Sequence, residues 1–126
     1  MMAKILIIED ELELARLIQV RLENAGFGVE IAGDGKEGLE KITDYQPDLV
    51  ILDLILPQID GYRVCELIKS DDKLRKIPVI MLTARAQDIE KKAGYAVGAD
   101  EYIVKPYDPD QLLQKIKALL ERKNKV

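Results

Sequence analysis

The feature that most limits how this chain can fold is an alternation of short apolar runs with stretches of helical periodicity. Residues 3–8 are apolar apart from Lys4, and from Leu14 through Leu17, Ile18, Leu22 and Ala25 the apolar period becomes helical. Gly26 ends that helix. Gly28–Ala32 alternates as a short strand, and Asp34 then reads as an N-cap with Glu37 three residues on, opening a helix to about Thr43 that Pro47 stops. Residues 48–57 carry the third strand, followed beyond Asp60-Gly61 by a helix bearing Val64, Cys65, Leu67 and Ile68. Residues 77–82 form a fourth apolar strand with Pro78 at its start, where a missing N–H is tolerated. A weaker helix is expected over 87–97, with Gly94 inside it. Glu101–Val104 is a fifth strand, and Asp108, Pro109 and Gln111 supply N-cap, N1 proline and N3 glutamine for a last helix. Five strands alternating with five helices in 126 residues predict one α/β domain, residues 1–126, with a mostly parallel sheet covered on both faces.

In a parallel sheet all the carboxyl ends of the strands lie at one edge, and ligands bind there where the strand order reverses. The first strand runs into Glu9-Asp10, the third into Asp53, the fourth into Thr83, and the fifth into Lys105. Each alone reads as a strand-end polar group in water; together they predict one polar pocket. Asp53 is the most constrained of them. It interrupts an almost unbroken apolar run, and burying an ionised carboxylate without a partner costs several kcal/mol.

Composition narrows the chemistry. The chain contains no histidine, so a Ser-His-Asp triad, a histidine general base and a histidine metal site are all excluded. Its single cysteine, Cys65, shares helical spacing with Gly61, Val64 and Ile68 and reads as a buried structural thiol. A net charge of −4 argues against direct nucleic acid binding by this domain. No apolar run approaches the roughly 20 residues of a membrane span, and Met1-Met2-Ala3-Lys4 leads straight into a strand, so a cytoplasmic address is expected.

Clustered carboxylates with no histidine or cysteine nearby favour a hard cation such as Mg²⁺. With Lys105 and Thr83 beside them, the pocket suits a phosphoryl group, and Asp53 becomes a nucleophile that accepts it. A Mg²⁺-dependent phosphohydrolase working through an aspartyl phosphate would want a second acid two residues after the nucleophile, where this chain has Ile55. A flavin or nucleotide module of similar topology would want a glycine- or hydroxyl-rich phosphate loop after the first strand, where Glu9-Asp10-Glu11 repels phosphate. A constitutive docking module that accepts no phosphate is a further alternative.

The motifs Ile7-Ile8-Glu9-Asp10-Glu11, Asp53-Leu54-Ile55-Leu56-Pro57-Gln58-Ile59-Asp60-Gly61, Leu82-Thr83-Ala84 and Gly98-Ala99-Asp100-Glu101-Tyr102-Ile103-Val104-Lys105-Pro106 stand in this order along the chain. In that combination the chain resembles, over its whole length, the receiver (CheY-like) domain of two-component response regulators. The resemblance implies a flavodoxin-like three-layer fold with strand order 2-1-3-4-5. It implies that Asp53 is phosphorylated, in a Mg²⁺-dependent reaction, by a sensor histidine kinase or phosphotransfer protein, and that the chain is a signalling domain rather than an enzyme acting on other molecules. Asp10, Asp53 and the Ile55 backbone carbonyl would hold the Mg²⁺, with Glu9 acting through water. Many relatives carry aspartate at position 9. Lys105 would hold the phosphoryl group, the Lys105–Pro106 bond would be cis, and Thr83 and Tyr102 would shift on modification.

The residues two past Asp53 and two past Thr83, Ile55 and Arg85, would overhang the phosphoryl group and tune its hydrolysis; neither positions water well, which predicts a long-lived phosphoryl-aspartate. The output surface implied is the face of the fourth helix, fifth strand and fifth helix. It carries Lys91, Lys92, Asp100, Glu101, Lys115 and Arg122 and is suited to a homodimer, a downstream protein target or a fused effector domain.

Overall fold

The computed structural model describes residues 2–83 and 98–124. Its elements are β1 (Lys4–Ile8), α1 (Leu12–Asn24), β2 (Gly28–Ala32), α2 (Gly35–Tyr45), β3 (Leu49–Asp53), α3 (Gly61–Ser70), β4 (Val79–Thr83), β5 (Glu101–Val104) and α4 (Pro109–Asn124). The helix expected over 87–97, and with it Arg85, Lys91, Lys92 and Gly94, lies outside the described residues. The last helix of the sequence reading is therefore α4.

The strands form one sheet in the order β2-β1-β3-β4-β5, every neighbouring pair parallel. The chain moves outward from β1 to β2, then crosses back to β3 and proceeds to β5 at the opposite edge. The order thus reverses between β1 and β3, and the crevice beyond their carboxyl ends is where such a sheet presents a ligand site.

Alternation along each strand produces two cores. Leu6, Ile8, Val50, Leu52, Val79 and Met81 pack with Ile42 of α2 and with Val64, Cys65 and Ile68 of α3. The opposite face sets Ile5, Ile7, Leu49, Ile51 and Ile80 against Ala15, Ile18 and Leu22 of α1 and against Leu112, Ile116 and Leu119 of α4. Both faces being buried is why β1, β3 and β4 read as continuous apolar runs rather than alternating ones. Each fully buried Leu or Ile stabilises the fold by roughly 1.5–3 kcal/mol relative to exposure.

Several boundaries differ from the expectation. β4 starts at Val79, not residue 77, because Pro78 has no N–H for the ladder; its carbonyl still accepts from Val50 N–H at 3.0 Å. The strand extends one residue further, to Thr83. α1 begins at Leu12, one half-turn early, with Glu11 as an N-cap that makes no side-chain capping bond. α2 continues to Tyr45 and closes at Gln46, whose φ of 53° is left-handed, immediately before Pro47. At its start the capping pair is real but offset: Asp34 Oδ1 accepts from Glu37 N–H at 2.8 Å, while the Glu37 carboxylate reaches Gly33 N–H at 3.3 Å. Among the described residues no helix is long and apolar enough to cross a membrane.

Candidate functional site

The parallel register brings the polar strand ends level. Ile8 pairs with Leu52, Asp53 with Leu82, and Thr83 with Val104, so Glu9, Asp53, Thr83 and Lys105 follow one another across the same edge of the sheet. Backbone bonds fix the residues that leave the ladder: Glu9 N–H donates to Ala32 O at 3.0 Å, Leu54 N–H to Leu82 O at 2.9 Å, and Lys105 N–H to Thr83 O at 2.6 Å. The Lys105–Pro106 peptide is cis.

Glu9, Asp53 and Thr83 are the buried polar residues of the described chain, with Glu9 only 2% exposed. Oxygens of Glu9, Asp10 and Asp53 all lie within 4.8 Å of one another, Asp10 being the exposed member. Among the described residues one ammonium faces them. Lys105 Nζ is 3.1 Å from Glu9 Oε1 and 3.7 Å from Asp53 Oδ1. The other Glu9 oxygen, Oε2, accepts from Glu11 N–H at 3.3 Å.

That one ammonium faces three carboxylates, and the crowding and burial show in the proton affinity of Glu9. Burial, then hydrogen bonding to Asp53 and the charge of Asp53, push the Glu9 carboxyl up to about 7, against the weaker pull of Glu11 N–H and Lys105. Burial draws the Lys105 ammonium down, but Asp53 and Glu9 together outweigh it and leave its pKa raised. An all-oxygen donor set held this tightly, with an excess of negative charge, fits a hard divalent cation such as Mg²⁺.

The loop after Asp53 is pinned at both ends. Leu54 and Leu56 are buried while Ile55 between them is 54% exposed. Gln58 has a φ of 68°, and Ile59 N–H reaches back to Pro57 O at 2.8 Å, a three-residue γ-turn. Asp60 then caps α3 by accepting from Arg63 N–H at 2.9 Å. Gly61 N–H donates to Leu54 O at 2.8 Å, and a Cβ at position 61 would sit 2.8 Å from Leu54 Cα and closer still to the Asp53 carbonyl oxygen. The end of β3 thus rests directly on the first turn of α3.

Sequence reasoning named Glu9, Asp10, Asp53, Thr83 and Lys105, and the fold places all five at one edge. Tyr102 lies further down β5, paired with Met81, half-buried against the α2/α3-side core. Arg85 lies outside the described residues. Gly61 and Gln58 carried no legible signal of their backbone roles, because both depend on how closely α3 approaches the end of β3. Cys65 is buried as expected, and burial pushes its thiol up to about 11.

Comparison with known proteins agrees with this geometry. The model of the response regulator receiver domain family matches residues 5–117. The chain is 46% identical to the response regulator ArlR of Staphylococcus saprophyticus over 96% of its own length and 54% of that protein. It is 42% identical to the DNA-binding dual master transcriptional regulator RpaA of Synechocystis over 99% of its own length and 52% of that protein. It therefore spans about half the length of these curated relatives. The crystal structure of a CheY-like response regulator receiver domain protein from Methanospirillum hungatei superposes with a TM-score of 0.91 at 33% identity, covering 99% of this chain and 98% of that one.

Proposed function

Because the chain belongs to the response regulator receiver domain family, we propose that Asp53 is its phosphoryl acceptor and that phosphorylation switches a surface read by a partner. The observation that carries this reading is the convergence of Glu9, Asp10, Asp53 and Lys105 from three separate strand ends onto one small volume.

A sensor histidine kinase or phosphotransfer protein presents a phosphohistidine. An Asp53 carboxylate oxygen forms the new O–P bond as the N–P bond breaks, and the imidazole departs with the electron pair. Asp10, Asp53 and the Ile55 carbonyl would hold a Mg²⁺ ion, with Glu9 acting through water, and the bound ion would supply charge neutralisation. Lys105 binds a phosphoryl oxygen and keeps it oriented. Thr83, fully buried at the end of β4, donates its hydroxyl to another. The product group carries about −2 charge and several strong acceptors. Moving a switch from about 1% to 99% active needs contacts that differ by about 5.5 kcal/mol between states, which two or three charge-assisted hydrogen bonds can supply at about 1.5–3 kcal/mol each. Tyr102 turning inward couples this change to the face of β5 and α4, where Lys115 pairs with Glu101 at 3.4 Å. That face then serves a downstream target, an effector domain or a second copy. Ile55 and Arg85 leave attacking water poorly held and give a long-lived phosphoryl-aspartate.

The donor protein has a place to dock. An apolar groove of about 670 Å³ runs from Leu14, Leu17 and Arg21 on α1 to Lys105, Pro106 and Tyr107, and Leu17 is exposed on its α1 side.

The test is intact mass after acetyl phosphate treatment with Mg²⁺, comparing wild type with Asp53→Asn. The expected result is a gain of one phosphoryl group in wild type alone; equal gain by the variant overturns the assignment, and no gain by either supports the constitutive docking alternative.

A further inference from the structure

β2 is an edge strand that pairs, in parallel, with β1 alone. Gly28 N–H donates to Ala3 O at 2.9 Å and Ala32 O accepts from Glu9 N–H at 3.0 Å, so residues 28, 30 and 32 turn their backbone groups toward β1. Val29 and Ile31 therefore point theirs away from the sheet, and such a row of backbone groups is a template for another strand. Both outward carbonyls are occupied, from opposite faces. Lys41 Nζ of α2 donates to Ile31 O at 2.7 Å, and Gln19 Nε2 of α1 reaches Val29 O at 3.5 Å, the longer and weaker of the two contacts. Glu37, one turn earlier on α2, holds the Lys41 ammonium at 3.3 Å, and Glu30 of β2 itself stands 3.8 Å from it.

Without these contacts the edge would be self-complementary. The two-fold antiparallel register that uses every outward N–H and C=O sets Val29 opposite the Ile31 of a second copy and Glu30 opposite its own counterpart. Two glutamates facing each other directly repel. From Phe27 to Ala32, Glu30 is the one charged side chain in an otherwise apolar and glycine stretch. We propose that Lys41, Gln19 and Glu30 keep the β2 edge closed to a second copy of this chain, the first two by occupying its acceptors and the third by repelling its own image. None of the three belongs to the cluster of Glu9, Asp10, Asp53 and Lys105, so the edge can be opened without altering that site.

The experiment is sedimentation velocity combined with amide hydrogen exchange on the unphosphorylated protein, comparing wild type with Gln19→Leu/Glu30→Thr/Lys41→Met. The variant loses one charge of each sign, so its net charge stays at −4. Wild type is expected to sediment as a monomer at about 0.5 mM, with the Val29 and Ile31 amides exchanging freely, while the triple variant dimerises with a Kd on the order of 0.1 mM. In that dimer the two amides should slow about tenfold. Lys36→Leu/Glu40→Thr, the same kind of change at two exposed positions of α2, should stay monomeric. A triple variant that stays monomeric overturns the proposal, as does one that dimerises while Val29 and Ile31 still exchange freely. A dimeric control, or a wild type in which the two amides are already slow, overturns it equally. Should the triple variant not fold, Glu30→Thr/Lys41→Met, which leaves the α1 contact intact, is read by the same two measurements, with a Kd about tenfold weaker and the same overturning results.

Discussion

Lys69 Nζ lies 2.9 Å from Asp100 Oδ2, and the same carboxylate oxygen accepts the Val79 N–H at 2.8 Å. The ammonium also donates to Ile77 O at 2.7 Å and Arg75 O at 3.1 Å. One lysine at the end of α3 thereby ties the loop before β4, the first residue of β4 and the entry to β5. These contacts lie at the strand ends opposite Asp53. Lys69→Met should lower unfolding free energy by about 2 kcal/mol, from lost charge-assisted bonds and a partly buried carboxylate left behind. Urea denaturation checks the loss, and phosphoryl uptake by the folded variant should stay within twofold of wild type.

Gln58 holds a backbone conformation that suits glycine. Its φ of 68° at the centre of a γ-turn strains any side chain with a Cβ. Gln58→Gly should stabilise the protein by about 0.5–1 kcal/mol, net of the greater freedom it gives the unfolded chain, while Gln58→Val should destabilise it. The denaturation midpoint reads both, with the slope unchanged.

Gly61 tolerates no side chain. A methyl there meets Leu54 Cα and the carbonyl oxygens of Asp53 and Leu54, which are backbone atoms and cannot rotate away. Gly61→Ala should cost about 2–4 kcal/mol through overpacking and should also weaken Mg²⁺ binding, since the displaced residues carry Asp53. A variant that lost stability without losing metal affinity would place the strain elsewhere.

The Glu9 carboxyl gives the metal-free protein an acid-side stability gain. Its pKa is raised in the folded state, from 4.5 to about 7, so the folded form binds the proton more tightly than the unfolded one. The contribution is fully present below about pH 4.5 and is lost as pH rises to about 7. Metal-free wild type should therefore lose on the order of 2–3 kcal/mol between pH 5 and 8 through this group, and Glu9→Gln should flatten that slope. Thermal melts of the two proteins with excess chelator, at matched ionic strength, measure the difference. Saturating Mg²⁺ should restore stability on the alkaline side.

A donor that docks through the α1 groove should be sensitive to charge there. Leu17 is 67% exposed, so Leu17→Glu should leave stability within about 0.5 kcal/mol of wild type. It should slow phosphoryl transfer from a kinase roughly tenfold, the cost of burying a charge at an interface hot spot. Uptake from acetyl phosphate should be unaffected.

The parallel sheet and the convergence of Glu9, Asp10, Asp53, Thr83 and Lys105 were legible in the sequence because strand ends in such a sheet share an edge whatever their order. The boundaries of β2 and β5 were legible too, since glycine, proline and acidic caps bracket both. What pattern alone does not reveal is distance between side chains from strands that are not neighbours. That Glu9 passes over β3 and β4 to reach Lys105 depends on strand order and on one methylene, and neither appears as periodicity. The apolar pattern places the start of β4 at Ile77, two residues early, because hydrophobicity does not register a missing N–H. The same pattern starts α1 late, at Leu14, because Leu12, 51% exposed, belongs to the helix but not to its buried face.

β5 sits at the edge of the sheet, pairs only with β4, and is the strand that delivers Lys105. During synthesis the acidic residues of β1 and β3 emerge long before it. A growing chain that has made four strands holds the acid cluster without the lysine that pairs with Glu9 and Asp53 in the described residues. The charge pairing of the site therefore arrives late, with the docking of the final strand, and a half-made or half-unfolded molecule lacks it.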